Sequence, residues 1–283
     1  MHKLLFRAPG AVGALLPVAV LIMLISPAAG QSRPAEDDML HITILYDNYA
    51  AVADVETDWG FAALIEYGAE KILFDAGTQG RILLANAAAL AVDLSHIDTV
   101  VFSHEHGDHT GGQADFYAAL ADGVSPVTWV IPSFPEAIKQ RAAAAGRVEE
   151  CATFTEIVPG IFSTGEIRGP VNEQALVVQL PAGIVVITGC AHPGIDGIVE
   201  RARDHFGSDV LHVIGGFHLG GVSDARVGRI IDAFRRLGVA RVTPTHCTGD
   251  RAIELFREAY GEDYLPGGIG RVIEIGRGIE IGR

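Results

Sequence analysis

Short apolar runs alternate with amphipathic stretches along most of the chain beyond about residue 40. The runs are rich in β-branched residues, which predicts buried strands, and the stretches between them repeat apolar positions at a helical period. Such alternation is typical of a layered α/β fold. The predicted strands are 41–46, 61–67, 71–75, 99–102, 127–131, 184–188, 210–214, 241–245 and 272–275. Residues 147–180 are also strand-like, with 160–165 and 175–180 as the clearest pieces. The predicted helices are 81–90, 113–120, 135–145, 195–206, 250–260 and the stretch that aligns Val227, Ile230, Ile231, Phe234 and Leu237 on one face.

The first 30 residues have a different pattern. Lys3 and Arg7 form a short basic start, residues 11–25 are apolar, and a proline and three small residues end the segment. This order predicts a cleaved signal peptide and therefore a periplasmic or secreted protein. An uncleaved membrane anchor is the alternative. We disfavour it because the apolar run is shorter than the ~20 residues that span a bilayer and Pro17 interrupts it. The mature protein is then expected to have no stable membrane insertion.

The rest of the chain divides into a polar linker over residues 31–39 and a domain over residues 40–283. The formal net charge is −14, and it becomes −16 without residues 1–30, which contain two basic and no acidic residues. No basic run remains that could neutralise a phosphate backbone, which argues against a nucleic-acid partner. We therefore expect a small-molecule substrate, and the oligomeric state stays open.

A dense group of metal-ligand residues follows the predicted strand at 99–102. His104, His106, Asp108 and His109 lie within six residues. While the backbone stays extended, His104 and His106 project to the same side and can share one ion. Beyond Gly107 a change of backbone direction can aim Asp108 and His109 at a second ion. Imidazole and carboxylate together suit zinc, with manganese and iron as competitors.

Further histidines occupy equivalent places later in the chain. His192, His218 and His246 each follow an apolar strand and precede a helix, and such strand ends converge on one edge of a layered α/β fold. All three are therefore candidates to join the first four ligands. By contrast, His205 lies within a predicted helix and His212 within a predicted strand, where we expect structural roles.

The chain has three cysteines, which is an odd number for an oxidising compartment. They are Cys151, Cys190 and Cys247. At least one of them is therefore expected to stay free, to bind metal or to pair between chains.

The run at 103–112, Ser-His-Glu-His-Gly-Asp-His-Thr-Gly-Gly, resembles the His-x-His-x-Asp-His signature of the metallo-β-lactamase superfamily. The similarity extends over essentially the whole chain after about residue 40. It implies an α/β (α+β) fold, the four-layer αββα sandwich of that superfamily, with two zinc ions. It assigns His104, His106 and His192 to one ion and Asp108, His109 and His246 to the other. Asp108 is also expected to hold the attacking water, and His218 to serve the substrate by donating a proton or binding a phosphate.

The resemblance gives Asp75 two possible roles. In the superfamily an Asp-x-Gly closes a strand near the metals, so Asp75 can orient a ligand from behind. Alternatively it is a turn aspartate.

Two positions depart from the superfamily pattern. The strand matched by residues 184–188 usually ends in Thr-Gly-Asp, whose aspartate bridges the metals, but here the third residue is Cys190. Its thiolate can be a zinc ligand, or the side chain only packs beneath the site. The usual Gly-His before that strand is also missing, and residues 172–174, Asn-Glu-Gln, take its place.

Three later motifs resemble a narrower group. This group contains proteins related to 7,8-dihydropterin-6-ylmethyl-4-(β-D-ribofuranosyl)aminobenzene 5′-phosphate synthase, which is a transferase. The three motifs are Thr-Gly-Cys-Ala-His-Pro-Gly, Gly-Gly-Phe-His-Leu and Thr-His-Cys-Thr-Gly.

The cytosolic pterin pathway of that synthase fits poorly with the export signal predicted for this chain. We therefore expect a dinuclear zinc hydrolase in which zinc-bound hydroxide attacks an ester, phosphoester or lactone. A synthase-like transferase and a non-catalytic periplasmic zinc-binding protein are the alternatives.

Overall fold

Strand formation follows the predicted apolar runs closely. The computed structural model describes residues 39–276 and the backbone of 280–282, together with His2. The predicted signal peptide and nearly all of the predicted linker lie outside these residues. The strands are β1 (Leu40–Tyr46), β2 (Ala62–Tyr67), β3 (Glu70–Phe74), β4 (Thr99–Val101), β5 (Val127–Val130), β6 (Arg147–Glu150), β7 (Thr155–Val158), β8 (Ile161–Ser163), β9 (Leu176–Leu180), β10 (Gly183–Thr188), β11 (Val210–Gly216), β12 (Arg241–Thr245), β13 (Val272–Ile275) and β14 (Glu280–Gly282).

The longer helices also lie where the periodicity predicts them. Three short helical turns among the described residues were not predicted, namely Gly107–Thr110 in the histidine motif and the 3-10 turns His246–Thr248 and Gly261–Asp263. Across the described part of the chain, no helix combines the length and the apolar character that crossing a membrane requires. The helices are α1 (Gly80–Ala89), α2 (Gly107–Thr110), α3 (Gln113–Ala118), α4 (Glu136–Ala145), α5 (Ile195–Phe206), α6 (Asp224–Leu237) and α7 (Asp250–Tyr260).

The strands form two sheets. The order in the first is β14-β13-β1-β2-β3-β4-β5-β6, and the order in the second is β12-β11-β10-β9-β8-β7. The strands from β3 to β6 are parallel to one another, as are those from β10 to β12. Parallel strands in the middle of a sheet need both faces covered, which is why β10 and β11 are apolar at nearly every position, whereas the edge strand β6 is mostly charged.

Alternate side chains of each central strand enter different layers of the core. In β10, Val185 and Ile187 pack between the two sheets, whereas Ile184 and Val186 pack beneath helices α5, α6 and α7. In the same way, Leu73 of β3 packs beneath α1, α3 and α4 on the outside of the first sheet. The layers are therefore helix, sheet, sheet and helix, which confirms the predicted αββα sandwich. Each fully buried aliphatic or aromatic side chain contributes roughly 1.5–3 kcal/mol to this packing.

The histidine motif leaves the sheet earlier than its sequence suggests. The strand predicted over 99–102 ends one residue earlier, at Val101, and residues 104–105 form a bend, so the backbone does not stay extended from His104 to His106. The backbone N–H of Phe102 still bonds to the neighbouring strand, whereas that of Ser103 donates to the carboxylate of Asp75, 2.7 Å away. A side chain therefore takes the hydrogen bond that would have prolonged the ladder. The backbone does change direction beyond Gly107, where α2 begins.

The glycine pair that ends the motif allows a close approach between backbones. A Cβ atom at Gly112 would overlap the carbonyl oxygen of Ala76, and one at Gly111 would overlap that of Thr78. The Gly112 N–H also donates to the carbonyl of Gly77 at 3.0 Å. The segment after β3 therefore holds α2 and the motif in place through backbone contacts that leave no room for a side chain.

We predict that Gly112→Ala destabilises the protein by roughly 2–3 kcal/mol, because backbone atoms cannot yield as a side chain can. Gly107→Ala is the matched control in the same motif, since a Cβ atom there meets nothing within 4 Å. Chemical denaturation of both variants measures the free energy of unfolding. Equal effects of the two substitutions would contradict the close approach at Gly112.

Candidate metal centre

Three imidazoles from two segments meet at the carboxyl ends of the parallel strands. The ring centroids of His104 and His106 are 4.8 Å apart, and that of His192 lies 4.6 Å and 4.9 Å from them. His104 follows β4 of the first sheet, and His192 follows β10 of the second. One nitrogen of His104 and one of His192 form a compact group with the sulfur of Cys190. The structure therefore brings together the three histidines assigned to the first metal.

A second group of ligand atoms lies beside the first. Asp108, His109, His246 and Cys190 each contribute one atom to a set in which all atoms lie within 4.8 Å of one another. The Asp108 carboxylate is 3.6 Å from Nε2 of His109 and 3.5 Å from Nε2 of His246. The Cys190 sulfur is 3.2 Å from Nε2 of His109. Asp108 also groups with His104 and His106, so Asp108 and Cys190 both lie between the two histidine sets.

Four of these imidazoles have Nδ1 fixed by an oxygen atom. An Nδ1 that donates its proton leaves Nε2 with a free lone pair. The hydrogen bonds therefore select the tautomer in which Nε2 is the metal-binding atom. The pairs are His104 with Ser103 Oγ at 2.9 Å, His109 with Asp75 Oδ2 at 2.7 Å, His192 with Glu173 Oε2 at 2.9 Å and His246 with Asn48 Oδ1 at 3.1 Å.

Two of the free nitrogen atoms are buried without a hydrogen-bond partner. Nε2 of His104 and Nε2 of His246 have neither solvent contact nor a hydrogen bond, although Nε2 of His246 lies 3.5 Å from the Asp108 carboxylate. A buried polar atom left in this state costs about 1–3 kcal/mol. A transition-metal ion would satisfy both atoms, and imidazole, carboxylate and thiolate together are a donor set suited to zinc. The residues present therefore fit the metal ions that the superfamily binds.

The protonation states of His104, Asp108 and His109 favour the same conclusion, whereas that of His246 opposes it. Burial lowers the pKa of His104 and of His109 to about 3, so both rings are neutral at physiological pH, as a metal ligand must be. Burial would raise the pKa of Asp108, but His246 and His109 outweigh it and lower that pKa below the usual range. Burial would lower the pKa of His246, yet the effects of Asp108 and Cys247 outweigh that of burial, and the pKa is raised. Metal binding at Nε2 of His246 therefore competes with a proton.

Asp75 lies directly beneath the ligands. It is fully buried, and its two oxygens accept bonds of 2.7 Å from the Ser103 N–H, the Ser103 hydroxyl and Nδ1 of His109. Because the Ser103 hydroxyl also bonds His104, one carboxylate orients a histidine from each metal set. Burial raises the pKa of Asp75 to about 7, against the opposing effects of His104 and the Ser103 donors. Of the two roles left open by the sequence, these contacts fit the orienting one.

Glu173 is a functional residue that the sequence reasoning missed. It is fully buried and accepts bonds from the backbone N–H groups of Cys190, Ala191 and His192, at 2.8, 2.8 and 2.9 Å, and from the His192 ring. Burial would raise the pKa of Glu173, but His104, His192 and the backbone donors lower it below the usual range. One buried charge therefore fixes the whole turn after β10. The signal available in the sequence was the polar triplet 172–174 directly before a buried strand.

Asn48 is a second residue that was missed. Its amide accepts a bond from Nδ1 of His246 and donates one to the His246 carbonyl, each at 3.1 Å. It thereby fixes both the ring and the backbone of this ligand. No sequence pattern marked Asn48, because it lies 198 residues before its partner in the loop after β1.

His218 lies at the rim of the centre, and both predicted ligand sets come together without it. Its side chain is exposed, and its ring centroid is 4.2 Å from that of His192. It groups with Cys190 and Cys247, and a hydrogen bond to the Cys247 sulfur raises the pKa of His218. All three cysteines of the chain are buried and free. The structure thus allows His218 to face a substrate, and Cys190 to contact metal.

The two histidines expected to be structural lie away from the site. His205 in α5 stacks on Phe154 at 3.8 Å between centroids, and His212 in β11 is buried and bonds to Thr243 at 2.8 Å.

Four side chains at the centre sit on left-handed backbone. Asp75, Ala191, His218 and His246 have φ values between 51° and 62°. This conformation is costly for residues other than glycine and persists where surrounding contacts determine it. Asp75 and His246 directly follow the ends of β3 and β12, and Ala191 and His218 lie within three residues of the ends of β10 and β11. The strained turns therefore direct the chain inward to the ligands where these strands end.

Comparison with known sequences agrees with the geometry. The sequence profile of the metallo-beta-lactamase superfamily matches residues 60–246. A protein of Methanocaldococcus jannaschii named 7,8-dihydropterin-6-methyl-4-(beta-D-ribofuranosyl)-aminobenzene-5'-phosphate synthase is 27% identical over 285 residues, covering 84% of this chain and 97% of the relative. An uncharacterised protein of the same organism is 29% identical, covering 83% of this chain and 100% of its own length.

Solved structures show the same fold. The crystal structure of Tm1679, described as a metal-dependent hydrolase of the beta-lactamase superfamily, has 29% sequence identity and a TM-score of 0.72 over 84% of this chain and 100% of its own. The metallo-beta-lactamase fold protein YhfI of Bacillus subtilis is 16% identical with a TM-score of 0.61, covering 84% of this chain and 100% of its own, which is a likeness of fold alone. The resemblance inferred from the motifs is confirmed.

We predict that Asp75→Asn lowers zinc affinity by about 10–100-fold, because an amide cannot accept all three bonds that orient His104 and His109. Competition with a chromophoric chelator measures the affinity. Asp98→Asn, an exposed carboxylate just before β4, is the matched control and should leave it unchanged. Equal affinities of wild type and Asp75→Asn would make Asp75 a turn residue.

Proposed function

The chain belongs to the metallo-β-lactamase superfamily, and on this basis we propose that it is a dinuclear zinc hydrolase acting on an ester, phosphoester or lactone. The single observation that carries the proposal is the paired arrangement of ligands. Two histidine sets with free Nε2 atoms lie on either side of Asp108 and Cys190, which supports two ions held close together. Manganese or iron are the competing metals.

The chain's own residues divide the remaining tasks. When bound, divalent ions in such a site lower the pKa of water and polarise the bond under attack. Asp108 carries a carboxylate between the two ligand sets and can orient the water by accepting its proton in a hydrogen bond. His218 is exposed at the rim with a raised pKa, and we assign it the proton donated to the leaving group. No serine or cysteine nucleophile is needed for this chemistry.

Transfer chemistry is the second candidate. It is favoured by the 27% identical archaeal relative, whose name describes a synthase of a pterin-containing phosphate. The same electrostatic arrangement could serve a transfer reaction if the acceptor excluded water. We favour hydrolysis because the predicted signal peptide would carry the protein away from a cytosolic pathway. Zinc binding without turnover is the third possibility.

We also propose that the mature protein is periplasmic or secreted and acts on a small molecule. The basis is the order of basic, apolar and small residues over 1–30, together with a mature net charge of −16, obtained as −14 less the two positive charges of that segment. Such a charge disfavours nucleic acids.

The test of the proposed function is a screen of the zinc-loaded protein against phosphodiesters, lactones and β-lactams. On any substrate found, Asp108→Ala should lower kcat/KM far more than tenfold with the fold intact, since it removes a ligand from a loop and nothing from the core. Asp122→Ala, in the exposed loop before β5, is the control at the opposite edge of the sheet. Activity within about tenfold of wild type, a loss of only ~1.4 kcal/mol, would remove Asp108 from catalysis. A screen without turnover would favour binding alone.

If Cys190 is a zinc ligand, the cobalt-substituted protein should show a sulfur-to-metal charge-transfer band that Cys190→Ser abolishes. Cys190→Ser should also weaken binding of one ion. Cys151→Ser is the control, since that buried cysteine belongs to none of the ligand groups found among the described residues. A band that disappeared in Cys247→Ser instead would assign the contact to Cys247. Unchanged zinc affinity together with no charge-transfer band would show that the Cys190 side chain only packs beneath the site.

A further inference from the structure

The loop between β1 and β2 presents an exposed indole beside the metal centre. Trp59 is 57% exposed, and its ring centroid lies 5.1 Å from that of His246, with 54° between the ring planes. Among the large hydrophobic side chains of residues 39–276, only Val52, at 41%, is also exposed. Packing within the chain does not account for Trp59, because more than half of its surface contacts no protein.

The backbone around this indole is held firmly on both sides. Hydrogen bonds fix the residue before it, its own carbonyl and the two residues after it, and two of them join the loop to residues of the metal centre. The backbone position of Trp59 is therefore set before any ligand arrives, which reduces the entropy cost of binding. The bonds are Tyr46 Oη to Asp58 Oδ2 at 2.6 Å, Gln79 Nε2 to Asp58 Oδ2 at 2.9 Å, Thr78 Oγ1 to the Trp59 carbonyl, Gly60 N to Asn48 Oδ1 at 3.3 Å and Phe61 N to the Asp108 carbonyl at 3.2 Å.

The indole is adjacent to the reacting groups as well as exposed. His246, its ring neighbour, has its Nε2 atom 3.5 Å from the Asp108 carboxylate that lies between the two ligand sets. A flat group resting on Trp59 would thus lie one imidazole away from the centre. A short substituent on that group could reach the ligands.

The charge of the loop restricts what can bind there. Asp54, Glu56 and Asp58 precede the indole. Arg81 pairs with Glu56 at 3.1 Å, so the negative charge of the loop comes mainly from the other two carboxylates. A hydrogen bond from Tyr46 lowers the pKa of Asp58, which stays ionised. The face of an indole is itself negative because of its quadrupole. An anionic ring is disfavoured on both grounds, whereas a neutral or cationic aromatic ring is favoured.

We propose that the indole of Trp59 is a binding platform on which a planar, uncharged or cationic aromatic ring of the substrate stacks while the reacting group occupies the metal centre. The placement of the reacting group rests on the proposed function. The ring subsite itself can be tested without turnover.

The chain contains two tryptophans, so Trp129→Phe leaves Trp59 as the sole indole fluorophore. We would titrate the zinc-loaded Trp129→Phe protein, excited at 295 nm, with three matched ligands. Uridine 5′-phosphate carries a neutral ring, orotidine 5′-phosphate carries the same ring with a carboxylate, and ribose 5-phosphate has no ring. We expect uridine 5′-phosphate to quench Trp59 and to bind about tenfold more tightly than the other two.

Calorimetry on single variants then separates stacking from structural support. Trp59→Ala should weaken uridine 5′-phosphate binding about tenfold and leave ribose 5-phosphate binding and zinc content unchanged. Trp59→Phe should restore most of the loss. Val52→Ala, the other exposed hydrophobic residue, should have no effect.

Several results would overturn the proposal. Absent quenching by uridine 5′-phosphate would do so, as would equal affinity for all three ligands. So would a Trp59→Ala variant that loses zinc and ribose 5-phosphate binding to the same extent, since Trp59 would then only support His246. Sedimentation showing that Trp59 instead mediates a dimer would also overturn it. Ring-dependent binding without hydrolysis would support the Trp59 platform and contradict the proposed hydrolase activity. Hydrolysis without any preference for a ring would support the hydrolase activity and contradict the platform.

Discussion

A buried imidazole can offer Nε2 to a metal only if Nδ1 keeps its proton, and a buried Nδ1–H needs an acceptor. The centre depends on this constraint. Its four acceptors are separated widely in the chain, at Asn48, Asp75, Ser103 and Glu173. They lie in the loop after β1, at the ends of β3 and β4 and before β9, so both sheets must be assembled before the ligands are oriented. The fold is thus a condition for the correct tautomers as well as for the positions of the ligands.

Much of this architecture could be predicted because it depends on local periodicity. Strands buried on both faces read as apolar runs, and the parallel ones had to bring their carboxyl ends to one edge. That argument placed His104, His192 and His246 together without knowledge of any distance. The same argument distinguished His205 and His212 from the ligands, because a residue inside a helix or a strand does not reach that edge.

The remaining parts of the centre depend on neighbours in space that no local pattern marks. Asn48 and Glu173 belong to loops whose partners lie in distant segments, and an isolated polar residue in a loop is usually solvated. The break in β4 has the same origin. The ladder does not continue past Phe102, because the buried Asp75 carboxylate has no water to accept from and takes the Ser103 N–H instead. Tertiary hydrogen bonding overrode local preference at the point where the ligands begin.

The two departures from the superfamily pattern form one structural unit. The usual aspartate after β10 is Cys190, and the usual Gly-His region before β9 contains Glu173. In space they meet, because Glu173 accepts the Cys190 N–H at 2.8 Å and also holds the ring of His192. The site thus still contains a carboxylate at this point, but it now acts from behind the turn and the thiol occupies the space between the histidine sets. Restoring aspartate at position 190 alone would place a second carboxylate close to the buried charge of Glu173, and like charges in a buried site repel strongly. The cysteine and the glutamate are therefore expected to be retained or exchanged together.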